Sequence, residues 1–560
     1  MPDIDDVLKP VVKLLKQGQF TNDLRQKIDD LWGAVNASVD KENAGYFKAS
    51  AIVSEVKFYF GEVEAAREAV RESRDVNETL NNWTDLHPDS KRVAREKIRS
   101  YQAWIHVTDY HNHNYKTALN KIDFCRKFLS TKLYSEAFPS HGSAAQTEFL
   151  RAKILRQLHR YSESEGAFKK SIELYNKRAE QKRVEIDEDS SRSKEVKDSL
   201  IRDEMSLLNR KCAVSLLGLC WLDYTRSQLD AADQKAVIAH ALLMPFADPI
   251  NHAYLDRLRA SICRCRAKRR AQLNEALEFV DSSKARLSKA GLLKHPYMTL
   301  VEYEKSLIHL ALARHQSDAE FSDHVRAAAE LAEKLSNHND NRWKANGLIV
   351  KSRVVRRSGD FALAASLASE ARDLAEHHSQ VLCQVDALIA HAEAHYHLAG
   401  ERLQVENLAI ARQDLQVALE LNKDSDLLRT AETQNAKISA VIWLNIARTF
   451  VLERDKQQAE AAFLHWKELE KEVEHEGVRD FARVTRKEID GLNVDFVIPY
   501  DSNVEYDQCL DDLRKFLIKK VKAKFQGEKQ QAKALGISRQ SLRNWSQPAE
   551  STSGKLKSKK

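Results

Sequence analysis

The sequence predicts an all-α protein: a long α-solenoid of antiparallel helix pairs followed by a small C-terminal three-helix module. Three observations carry that prediction. Glycine and proline together make up only 25 of 560 residues, about 4.5%, against roughly 12% in average usage, and strands joined by tight turns need more of both. Apolar residues recur at helical spacing along most of the chain. Net positive charge is confined to the end: positions 511–560 hold 14 Lys+Arg and 4 Asp+Glu, a net of +10, whereas the first 510 residues hold 75 basic and 78 acidic side chains, a net of −3.

That charge distribution bounds the function. A near-neutral body with a basic tip suits a protein that meets a polyanion only through its end. No apolar run approaches the ~20 residues needed to span a bilayer, so no membrane partner is expected. Met1–Asp6 is acidic and lacks the basic flank and apolar core of a signal peptide, which points to a cytoplasmic protein. The seven cysteines, Cys125, Cys212, Cys220, Cys263, Cys265, Cys383 and Cys509, are irregularly spaced and form no CxxC pair. Reduced, buried thiols are the expectation.

The body is read from a recurring helix–turn–helix unit. Trp443, Ile446, Ala447 and Phe450 fall at i, i+3, i+4 and i+7, one face of a helix. After a turn near Asp455, Ala459, Phe463 and Trp466 form a second apolar face. The small Ala447 and Ala459 let two antiparallel helices approach, and Trp443, Phe450 and Phe463 fill the gaps beside them. Four further copies keep an aromatic or branched residue followed by steps of +3, +4 and +3. Phe361 leads to Ala364, Ala368 and Ala371, and Val63 to Ala66, Val70 and Ser73. Tyr115 leads to Ala118, Ile122 and Cys125, and Tyr161 to Ser164, Phe168 and Ser171. In the unit before Phe361, Leu348, Lys351 and Ser352 depart from the pattern. The charged stretch Glu180–Ser199 is read as a solvated helix extension or a loop.

This spacing resembles the tetratricopeptide repeat, a helix pair of about 34 residues. The resemblance implies a TPR-like solenoid over positions 1–490, about a dozen helix pairs, each touching only its neighbours and together exposing a groove for a protein or peptide partner. Arg353, Arg356 and Arg357 are the candidate partner-binding residues. Arg353 and Arg357 share a helix face at i, i+4 and can hold a carboxylate or phosphate bidentately. The bland alternative is a salt-bridged basic face.

The helical period stops at positions 491–507, where Val494–Ile498 leads to Pro499; this is read as a linker. A module follows at 508–547. Leu510, Leu513, Leu517, Val521 and Phe525 make an apolar stripe on a first helix. Gly527 marks its stop, Glu528–Leu535 a short second helix, and Ser538 the N-cap of a third. The segment from Gln530 to Trp545 is similar to bacterial helix-turn-helix motifs. Ala532 is small where the helices cross, Gly536 permits the turn, and Leu535, Ile537, Leu542 and Trp545 close a mini-core. The resemblance implies that the third helix enters the major groove of double-stranded DNA. It would present Ser538, Arg539, Gln540, Arg543 and Asn544 to base edges, with Lys529 and Gln530 on phosphates. Positions 548–560 read as a disordered basic arm.

Chemistry of other kinds finds little support. His391 and His395 stand at i, i+4, a spacing that suits a metal on a helix, but the acidic residue between them, Glu393, does not follow the first histidine directly as in the metalloprotease pattern. The sequence contains no GxxxxGK[ST], GxSxG or GxGxxG motif. No cofactor, no metal and no enzymatic activity are expected. The leading expectation is a DNA-binding regulator whose body receives a protein or peptide, with a homodimer as a candidate assembly. The alternative is a scaffold subunit of a larger nucleic-acid-handling or defence complex, with the C-terminal module used for docking.

Overall fold

The structure is a computed structural model and describes residues 4–16, 21–38, 43–74, 88–112, 114–131, 142–158, 160–191, 193–293, 295–313, 318–378, 380–402, 405–423, 435–492, 514–522, 526–535 and 537–546. The chain forms two units, Met1–Arg486 and Lys487–Lys560. Among the described residues there is no strand.

In the first unit, α1 (Ile4–Lys16), α2 (Asn22–Ala37), α3 (Ala44–Tyr59) and α4 (Val63–Ala69) precede α5 (Pro88–Trp104), which continues as a π-helical turn over Ile105–Tyr110, and α6 (Tyr115–Leu129). Helix pairs follow. They are α7 (Ser143–Gln157) with α8 (Tyr161–Glu188), α9 (Lys194–Thr225) with α10 (Leu229–Leu243), α11 (Pro249–Arg266) with α12 (Arg270–Lys289), and α13 (Pro296–Leu312) with α14 (Asp318–Ser336). Then come α15 (Asn341–Arg357) with α16 (Phe361–His377), α17 (Val381–Arg402) with α18 (Val405–Lys423), α19 (Ala436–Leu452) with α20 (Lys456–Leu469), and finally α21 (Glu476–Gly491), whose last residues from Lys487 on are counted with the second unit. Each helix of a pair packs on its sequence neighbours, and the odd-numbered helices from α5 to α19 also touch one another in succession. That is the layering of a TPR-like α-solenoid, with first helices on one side and second helices on the other.

Local chemistry sets the turns. Gly61 and Gly359, at φ 78° and 88°, end α3 and α15 in the left-handed region that a residue with a Cβ adopts at a cost. Asp360 and Asp455 then cap the following helices, their carboxylates accepting from Leu363 N and Gln458 N at 3.0 Å each.

The packing residues named in the four further repeat copies are all at most 1% exposed: Ala364, Ala368, Ala371; Ala66, Val70, Ser73; Ala118, Ile122, Cys125; and Ser164, Phe168, Ser171. Ala447, Ala459, Phe463 and Trp466 are buried as well. Trp443 and Phe450 are only half-buried. Trp443 stacks on His465, with ring centroids 4.0 Å apart, and Phe450 lies under the Arg412 guanidinium at 4.9 Å. Where Ser352 departs from the repeat pattern, its hydroxyl donates to the Ala364 carbonyl at 2.7 Å and ties α15 to α16. Ser164 to Ala152 O (2.8 Å) and Ser283 to Ala253 O (2.8 Å) repeat the device.

Two close approaches require glycine. A Cβ on Gly218 would fall 2.3 Å from the Phe168 ring, and one on Gly347 would fall 2.3 Å from Ser336 N. Most of the charged stretch Glu180–Ser199 is helix extension, α8 and α9 running for 28 and 32 residues, with residues 189–191 and 193 non-helical between them. The stack also folds back on itself. Leu8, Leu24 and Phe47 from its start share one hydrophobic cluster with Leu273, Val280 and Val301, more than 200 positions on. Of the cysteines, Cys125, Cys212, Cys220, Cys265 and Cys383 are buried free thiols and Cys263 is half-buried; Cys509 lies outside the described residues.

The second unit contains a helix at 514–522 (α22), α23 (Glu528–Leu535) and α24 (Arg539–Ser546). Its core is Ile518, Ala532 and Leu542, with Leu535 and Ile537 packed against them. The linker at 491–507 lies outside the described residues except for its first two positions, and the arm at 548–560 lies wholly outside them.

Candidate nucleic-acid and partner interfaces

The module is held by local backbone geometry. Gly527 adopts φ 103°, and its carbonyl accepts from Gln530 N and Gln531 N at 3.2 and 3.1 Å, starting α23. Ile537 N donates back to Ala532 O at 3.1 Å, closing the turn between α23 and α24. Ser538 caps α24: its hydroxyl accepts from Ser541 N at 3.0 Å. Ala532 is 3% exposed at the helix crossing, where a larger side chain would push the helices apart.

The stripe on α22 differs from the sequence expectation by one position. Ile518, not Leu517, enters the core at 6% exposure, and Leu517 is half-buried. Leu510, Leu513, Phe525 and Gly536, and the side chains of Asn544 and Trp545, lie outside the described residues.

The expected DNA-contacting residues whose side chains are described are all exposed around this small core. Lys529 and Gln530 at the start of α23, and Ser538, Arg539, Gln540 and Arg543 at the turn and on α24, are exposed, as are Lys515, Lys519, Lys520 and Lys522 on α22. Arg543 is engaged: its Nε and Nη2 donate to Glu528 Oε2 at 3.1 and 2.9 Å. That contact holds the Glu528 carboxyl below its ordinary range. Sequence reasoning named Arg543 but not this partner, although an acidic residue at the start of α23 and a basic one in the last turn of α24 were the available signal.

In the body, Arg353 and Arg356 do not stand free. Arg353 Nη2 lies 2.8 Å from Asp386 Oδ1, and Arg356 Nη2 lies 2.7 Å from Glu393 Oε2 with Nη1 3.3 Å from His397 Nε2. All three partners are on α17, so these arginines join consecutive first helices. Arg357 also interacts within the fold. A partner's carboxylate would have to displace Asp386 or Glu393.

His391 and His395 are likewise engaged. His391 Nδ1 sits 2.6 Å from Asp414 Oδ2, and His395 Nδ1 sits 2.9 Å from Asn407 Oδ1. Burial, then the nearby His391, hold the His395 imidazole below its ordinary range. Among the described residues, no group of three or more His, Cys, Asp or Glu is placed to hold a metal ion, and no helix is long and apolar enough to cross a membrane.

One open groove of about 600 Å³ lies between α20 and α21, lined by Phe463, Leu464, Trp466, Lys467, Arg479 and Arg486 among others. Leu464 is 61% exposed there, an apolar side chain beside basic ones. The sequence pattern gave no warning of this groove, because Leu464 sits between two core positions of its own helix.

Among solved structures, the chain is similar to the crystal structure of the APC/C hetero-tetramer Cut9–Hcn1, at 12% identity over 88% of this chain and 95% of that chain, with a TM-score of 0.24. So low a score carries no argument, and the fold rests on the helix pairing described above. No protein-family model matches the sequence, and no curated protein is similar to it.

Proposed function

We propose that this chain is a non-enzymatic cytoplasmic regulator that meets duplex DNA through α22–α24 and a protein or peptide through its helix-pair body. The observation that carries the reading is a small apolar core with exposed polar and basic side chains around it in the C-terminal module. Ile518, Ala532 and Leu542 face inward, while Lys529, Gln530, Ser538, Arg539 and Gln540 are all exposed in a stretch of net charge +10.

In this reading α24 lies in the major groove. Arg539 pairs with guanine, and Gln540 and Asn544 pair with adenine, in the bidentate geometry their side chains allow. Lys529, Gln530 and the α22 lysines take phosphates. Arg543 reaches a base only by leaving Glu528. A homodimer would place two such helices on half-sites one helical turn apart. The repeat array supplies the partner surface, and its first helices, α15 with Arg357 included, line the side that receives a peptide.

The test is fluorescence anisotropy of the full chain against labelled duplexes across a salt series. DNA binding predicts that log K falls linearly with log salt, by about 0.9 per phosphate contacted, and that Arg539→Ala weakens the preferred sequence more than a random one. Absence of salt-dependent duplex binding removes the reading.

A second reading, a scaffold whose tip docks on protein, is favoured by one observation: Arg543 already has a carboxylate on Glu528. A docking tip predicts co-purification with a protein partner and no dependence of DNA retention on Arg539.

A further inference from the structure

Deeply placed cations in the body are, as a rule, matched by a carboxylate: Arg210 by Asp248 at 2.6 Å, Arg264 by Glu304 at 2.7 Å, and Arg353 by Asp386 at 2.8 Å. Three cations on the first-helix side depart from that rule. Lys153 Nζ on α7 lies 3.0 Å from His106 Nε2 and 4.6 Å from the centre of the Tyr110 ring. Arg156, one turn along α7, donates from Nη1 to the Tyr254 hydroxyl at 3.5 Å. Arg257, on α11 and 6% exposed, donates from Nε to the Tyr297 hydroxyl at 2.7 Å and lies 3.9 Å from the centre of the Trp221 ring. The contacts of these three side chains among the described residues include imidazole, phenol, phenyl and indole, with no ion pair to a carboxylate.

The three belong to one patch. Tyr254 joins them, bonded to Arg156 and with its ring 5.5 Å from Trp221 and 5.7 Å from Arg257. The Trp221 indole N–H is buried without a hydrogen-bond partner among the described residues. His106 and Tyr110 stand on the π-helical turn, where His111 N donates to His106 O at 3.1 Å; such turns are frequent at functional sites. The patch is not sealed, since Lys153 and Arg156 keep partial exposure.

Holding an ammonium and two guanidiniums away from bulk water with no counter-charge is costly. The same environment shows in the titration of its members. Burial holds the Lys153 ammonium below its ordinary range, with Arg156 adding to the effect. Burial, then Lys153 and His111, push His106 well down. Neutral imidazole and phenol groups cannot cancel three positive charges. A single carboxylate would leave two uncompensated, whereas a phosphoryl group brings more charge and several acceptor oxygens.

We propose that this patch, centred on Tyr254 and formed by Lys153, Arg156 and Arg257, is a binding site for a small phosphoryl-bearing molecule. It shares no residue with the DNA-contacting set and stands or falls separately from it.

The experiment uses the full-length protein, with inorganic phosphate and pyrophosphate as probes and chloride at matched ionic strength as control. Melting temperature and calorimetric affinity are the readouts for wild type, Lys153→Met and Arg257→Met. The expected result is a rise in melting temperature with pyrophosphate but not chloride, and affinity weaker by roughly tenfold or more in each variant. In the absence of phosphate, Lys153→Met should melt no lower than wild type, because an uncompensated charge has been removed. The proposal is overturned if pyrophosphate does no more than chloride, if its effect survives in both variants, or if Lys153→Met melts well below wild type without ligand, which would make the charge a structural one.

Discussion

In the helix-pair body arginine is an internal fastener; in the module at the chain's end it faces solvent. Arg412 grips Glu453 with two bonds of 2.6 and 2.7 Å, Arg353 spans α15 to α17, and Arg210 meets Asp248, whose other carboxylate oxygen caps α11 through Asn251 N at 3.1 Å. The carboxylates that balance these arginines are the reason the first 510 residues sum to nearly zero. On the module's helices only Glu528 offers an acidic group, and four lysines of α22 lie exposed. The difference teaches that charge content alone does not mark an interface. What sets the module apart is exposed basic charge on a surface with its own small core behind it.

Substitutions in the two regions should therefore separate stability from DNA binding. The largest effect belongs to Asp248→Ala, which strands Arg210 in the interior and removes a cap. It should cost about 3–5 kcal/mol of stability, read as a lowered melting temperature, with duplex affinity at permissive temperature unchanged. Next is Gly218→Ala, where the new Cβ meets the fully buried Phe168 ring; a loss of about 1–3 kcal/mol is expected by the same measurement. In the module, Arg539→Ala should leave the melting curve of the body in place and cost about 1–3 kcal/mol of discrimination between the preferred duplex and one altered at a single base pair, measured by competition anisotropy.

A pH series sharpens the body's side of the comparison. Burial pushes His295 and His309 down to about 4, whereas an unfolded histidine titrates near 6.5. Between those values the unfolded chain takes up protons that the folded chain refuses, so stability falls as pH drops from about 6.5 to about 4 and the histidine contribution levels off below that. Melting temperatures across that window should fall less steeply in His309→Gln than in wild type; equal slopes would count against the assignment. The smallest effect is expected from Glu528→Gln, which releases Arg543 and should tighten duplex binding slightly without altering its sequence preference.

Much of this was legible in the chain. The turn followed by steps of +3, +4 and +3 located the buried faces of α4, α6, α8 and α16, because small residues at helix crossings leave a periodic trace. Ala532 and Ser538 were legible for a similar reason, since a crossing and a cap each demand a particular residue type. The register of α22 was not. Leu517 and Ile518 are adjacent and both apolar, and only the placement of α23 and α24 decides which one turns inward. Nor could the sequence say that Arg353 and Arg356 answer to Asp386 and Glu393, 33 and 37 positions on, because pairing between successive repeats depends on how the helices stack. The Lys153–Arg156–Arg257 patch was hidden for the same reason: its cations and the rings around them come from α7, α9, α11, α13 and the π-helical turn after α5, and among the described residues no carboxylate pairs with them.

The account's central claim is that α24 reads DNA sequence. Selection from a random duplex library by the full-length wild type, in parallel with a variant carrying Arg539→Ala and Gln540→Ala, tests it most directly. The account predicts that wild type enriches a defined short motif and that the variant retains salt-sensitive binding but enriches none. Recovery of no motif by wild type, or of the same motif by both proteins, would contradict it.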